Sequence, residues 1–285
     1  MLRPSPAHLA YAIHQSDQVE LRALDLATPG FRLIGPVVEV PLRPDAPYHA
    51  EALLVREAQR TWELRVARLG DDPLLRDPVA VDTPPPVWAR VAHRPDGSRC
   101  AVFFVPRDRD DRREVEVLLA PWAEGAPPGP PRPVARWPGA LLAADQRVDA
   151  GGVVVGVALL DVGLEVPQYA LFHWRIDRDD RFEQCAFSRI AWPWSTPVER
   201  ALLRTSTFGA PYAVLKGGPE SAYVACRGED VVPLPDALAP PAEPLDVYFL
   251  DQTVPTLVYA DPRAGFSLYH TGPRRPRIAP TGLVA

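Results

Sequence analysis

The densest groups of potentially reactive side chains are two copies of one pentapeptide, Asp-Arg-Asp-Asp-Arg, at Asp108–Arg112 and Asp177–Arg181. Carboxylate oxygens at that density are ligands Ca²⁺ accepts. Neither copy holds the glycine that lets a calcium loop turn sharply, and each carboxylate has an arginine nearby to neutralise it. The pattern predicts two solvated hairpin tips, which together offer a polar docking surface rather than a metal site. The six histidines, His8, His14, His49, His93, His173 and His270, show no HxH or HExxH spacing that would set two imidazoles on one metal. A Gly-x-Ser-x-Gly elbow, a phosphate-binding Gly-Lys loop and a dinucleotide fingerprint are all missing. No catalytic residue, metal or cofactor is therefore expected from local motifs. A His/Asp site assembled from distant residues would leave no such trace.

Aromatic residues give a second kind of candidate. Trp137 and Trp192 each end an expected strand and each precedes a proline, and Trp194 follows at once. Placed beside Asp108, Arg109, Asp110 and Arg112, they have the composition of a protein-binding hot spot. A sugar-stacking platform uses the same ingredients, and Trp filling a wedge between sheets uses them too. The segment Ala126–Pro133 favours polyproline II, and the basic run Arg274–Arg277 reads as a solvated tail.

The elements that must position these groups are strands. The chain has 285 residues, 47% of them hydrophobic, with a net charge of −5. That balance sets up no field to gather nucleic acid or an anionic membrane. No apolar run reaches the length of a spanning helix, and no secretory h-region follows the N-terminal Arg3. Cys100, Cys185 and Cys226 lie in apolar segments, and are expected to be reduced, buried thiols in a cytoplasm. There are 36 prolines, no asparagine, and Lys216 as the single lysine, a composition that points to a G+C-rich bacterial genome. Proline at that frequency interrupts helices, because it lacks the N–H donor and its ring clashes with the preceding turn. An all-β chain is expected.

One unit recurs six times: an apolar strand, a tight turn, an alternating strand, then a strand closed by proline. The first copy reads Ala10–Ile13, Val19–Leu26 and Pro36–Pro41; the second reads Ala52–Val55, Trp62–Leu69 and Pro78–Asp82. From the third copy, Val87–Trp137, each unit has four strands, and Pro95-Asp96-Gly97 marks a hairpin. The fourth runs Leu141–Trp192, the fifth Ala201–Leu234 and the sixth Leu245–Ala279. Proline joints at Thr83–Pro86 and Ala239–Pro244 fall where one unit hands over to the next.

A unit of this length, with the Pro-Asp-Gly turn between its first and second strands, resembles a blade of the β-propeller superfold. The resemblance implies a single six-bladed propeller of four-stranded antiparallel blades over residues 1–285. Ring closure would come from Thr281–Ala285 pairing into the first blade, unless that tail is frayed. Fold alone does not choose a chemistry. The expectation is a non-enzymatic scaffold holding another protein in a bacterial cytoplasmic assembly, with Trp137, Trp192, Trp194 and the Asp108–Arg112 tip as its contact face. The alternative is a propeller enzyme or carbohydrate-binding protein with its small-molecule site in the central channel. Convergent polar residues on the inner strands would favour that alternative.

Overall fold

The computed structural model describes residues 86–109, 112–122, 129–205 and 210–218, together with the further strands named below; side chains are described over 86–107, 112–122, 129–205 and 210–218. The strands are β1 (Leu9–Ile13) and β2 (Val19–Ala23), then β3 (Arg32–Val40), β4 (His49–Ala58), β5 (Thr61–Arg68) and β6 (Val79–Val81). Next come β7 (Trp88–His93), β8 (Arg99–Arg109), β9 (Arg112–Trp122) and β10 (Arg132–Pro138). They are followed by β11 (Ala140–Val148), β12 (Val154–Asp161), β13 (Tyr169–Ile176) and β14 (Phe182–Ile190). The last eight are β15 (Val198–Thr205), β16 (Pro211–Gly217), β17 (Ala222–Arg227) and β18 (Asp230–Pro233), then β19 (Pro244–Leu250), β20 (Val254–Asp261), β21 (Gly265–His270) and β22 (Ala279–Pro280). Among the described residues there is no helix, and so none long and apolar enough to cross a membrane.

Strand order in every sheet follows chain order. β1 and β2 pair alone, and the others form five antiparallel four-stranded sheets: β3–β6, β7–β10, β11–β14, β15–β18 and β19–β22. The third to sixth expected units thus coincide with one sheet each. The first does not, because Pro36–Val40 of its third strand lies within β3, which opens the next sheet instead of closing the first. Alternation marks a strand without saying which neighbour it pairs with. The joint at Thr83–Pro86 falls between β6 and β7, and the one at Ala239–Pro244 follows β18 and ends on Pro244, the first residue of β19. Thr281–Ala285 lie outside the described residues.

Burial explains why these segments are strands rather than loops. Cys100–Val105 of β8 and Val115–Ala120 of β9 are buried at every position, so both faces of these middle strands are covered. β14, last in its sheet, is mostly exposed. Continuous apolar runs in the middle and mixed character outside are what a sheet stacked on both faces requires. Turn chemistry sets the registers. Gly97 N–H donates to Arg94 O at 3.0 Å, Gly152 to Asp149 O at 3.0 Å and Asp180 to Asp177 O at 3.2 Å. The donor in each turn has positive φ, at 85°, 79° and 57°. That is one three-residue hairpin loop used three times.

The chain divides into two compact units between Trp137 and Pro138. In the first, β3 lies against β7; in the second, β11 lies against β15 and β15 against β19. First strands of successive sheets are therefore neighbours within each unit.

Candidate functional site

The first strands β11 and β15 carry polar side chains into the interior of the second unit. Ala144, Asp145 and Gln146 are buried in succession on β11, with Asp145 at 0% exposure. Its Oδ2 accepts the backbone N–H of Thr205 at 2.7 Å, and Nη1 of Arg204 lies 3.6 Å from its Oδ1. Two consecutive residues of one sheet thus bracket a carboxylate of the neighbouring sheet. A carboxylate leaves water at great cost unless it is paired and hydrogen-bonded, and this one is both. Thr205 is also fully buried, and its Oγ1 has no hydrogen-bond partner among the described residues. An unpaired buried hydroxyl costs about 1–3 kcal/mol, a penalty that valine at this position would remove. Gln146, next along β11, is buried as well, but successive side chains of a strand point to opposite faces, so it stands on the other face from Asp145, as the Thr205 hydroxyl does from Arg204. What the two strands do bring together is the Asp145 carboxylate and the Arg204 guanidinium, a pair that can accept and donate hydrogen bonds and whose carboxylate can hold a proton.

No motif reported this cluster, since its two halves are sixty positions apart. One local signal existed: Asp145 and Gln146 interrupt the apolar start of the unit expected over Leu141–Trp192.

The tryptophans take other places. Trp137, in the first unit, is 2% exposed and packs on Phe104 with ring centroids 5.6 Å apart. Trp192 and Trp194 are half-buried in the second unit. Trp192 meets Tyr169 at 5.5 Å and Trp194 at 4.8 Å, both edge to face, and its Nε1 donates to Thr196 O at 2.9 Å. Both rings pack on the apolar cluster of Leu159, Leu171, Leu203 and Leu215 that joins sheets β11–β14 and β15–β18. Glycines seat them. A Cβ on Gly217 would stand 2.9 Å from Trp192 Cζ2, and one on Gly218 would stand 2.7 Å from Trp194 Cδ2. Gly217-Gly218 thus serves the close approach of both rings. Tyr169 completes the seam, its hydroxyl oxygen accepting Val198 N–H at 2.6 Å. Burial pushes the Tyr169 phenol above its ordinary range despite that bond, and the charge of Asp161 adds to the shift.

The pentapeptides do not occupy equivalent places. Asp177–Arg181 joins the third strand of its sheet to the fourth, and Asp177 Oδ1 accepts the N–H groups of Asp179 and Arg181 at 2.9 Å each. Those backbone bonds hold the Asp177 carboxyl below its usual range. Asp108–Arg112 joins second strand to third, with Arg109 opposite Arg112 across the ladder. Arg112 is exposed. The side chains of Asp108 and Arg109, and Asp110 altogether, lie outside the described residues. Among the described residues no three His, Cys, Asp or Glu side chains gather as metal ligands.

Two further groups stand apart from this cluster. Glu116 is buried between Arg107 and Arg136, at 2.9 Å and 2.7 Å. Burial works to raise its carboxyl, but the hydrogen bonds from Arg136 and Arg107 prevail and hold it below the usual range. Burial alone lowers the His173 imidazole, which favours its neutral form; of the thiols expected to be buried, Cys100 is, whereas Cys185 is exposed because it lies on β14, the outer strand of its sheet.

No family model and no curated protein matches the chain. Among solved structures it is similar to a Synechocystis apocarotenoid oxygenase, at 12% identity and TM-score 0.46, covering 96% of this chain and 71% of that one. It is also similar to an ACO/RPE65 chimera, at 12% identity and TM-score 0.44, covering 86% of this chain. The chain spans 60% of the chimera's length. These likenesses assign no activity to this chain. The expectation of a non-enzymatic scaffold holding a protein partner is nevertheless corrected. The solved structures it is similar to bear the names of oxygenases.

Proposed function

We propose that the chain handles a small molecule, as an enzyme or a binding protein, at a site where the first strands of its sheets meet. One observation carries the reading: the fully buried Asp145 carboxylate on β11, held by the Thr205 amide and the Arg204 guanidinium of β15. Buried ionisable groups with specific partners gather at functional sites more often than elsewhere. We also propose that residues 1–285 form one six-bladed propeller, in a bacterial cytoplasm. Six sheets in chain order, with neighbouring first strands in each unit, support that architecture. In such a ring the first strands line the central channel. The net charge of −5 argues against nucleic acid as the ligand.

The test is native mass spectrometry of protein purified gently from its host, wild type beside Asp145→Asn. A small molecule retained by the wild type and lost from the folded variant is the expected result. Retention by both proteins, or by neither, overturns the assignment of the site. A crystal structure with seven blades or a two-sheet sandwich overturns the six-bladed ring.

A further inference from the structure

We draw no further inference here: the strongest candidate, the apolar end of sheet β11–β14 where Leu164 and Val166 stand exposed in the loop between β12 and β13 and Trp192 and Trp194 are half-buried just beyond β14, carries nothing, since nothing in the structure shows what covers it.

Discussion

The backbone amide of Thr205 donates to Oδ2 of Asp145 across 2.7 Å, and this bond fastens the end of β15 to the middle of β11. Because Arg204 approaches the other carboxylate oxygen, the interaction carries both direction and charge. Asp145→Asn keeps shape and an acceptor but removes the charge, and should cost about 1.5–3 kcal/mol. Asp145→Ala leaves the guanidinium without its partner and should cost about 3–5 kcal/mol. Urea unfolding of both variants checks the order; an Asp145→Asn protein as stable as wild type would show that the charge is idle.

Trp194→Ala should lower stability by about 1–3 kcal/mol, less than a fully buried tryptophan, because half the ring is in solvent. Gly218→Ala acts on the same contact from the other side. Its φ of 84° and the 2.7 Å approach to Trp194 are both unfavourable for a Cβ, so at least about 1 kcal/mol is expected. Thermal melts read both. A Trp194→Ala protein melting like wild type would mean that the ring is not part of the seam between the two sheets.

Glu116 should make part of the stability depend on pH. Its folded-state carboxyl lies below its ordinary value, so its contribution is present above the unfolded value, near 4.3, and is lost as pH falls through the folded value. Wild type should therefore exceed Glu116→Gln in stability at neutral pH and converge with it in acid. Denaturation midpoints from pH 7 downward give the comparison. A gap that widens on acidification would contradict the assignment.

Tyr169→Phe removes the acceptor of Val198 N–H while leaving the ring on Trp192. The expected loss is about 1–3 kcal/mol, with faster exchange of the Val198 amide proton. Hydrogen exchange by NMR checks this; unchanged protection at Val198 would show that the bond does not form in solution.

Local chemistry in the sequence determined a good deal about this protein. Frequent proline and alternating apolar runs were enough to expect an all-β chain, and Pro95-Asp96-Gly97 announced a hairpin that Gly97 closes on Arg94. Four of the six expected units coincide with sheets, because turn residues and apolar length act within a few positions of each other. Where pairing depends on distant partners, the sequence was silent. Pro36–Pro41 looks the same whether it closes one sheet or opens the next, and only β4 decides that it opens one. Two identical pentapeptides took different loops because their flanking registers differ. Trp192 and Trp194 could be read from sequence as a docking face or as a wedge, and no sequence rule places Gly217 and Gly218 beneath them. Asp145 needed Thr205, sixty residues away, because a carboxylate can be buried only where the tertiary structure delivers the donors that replace water.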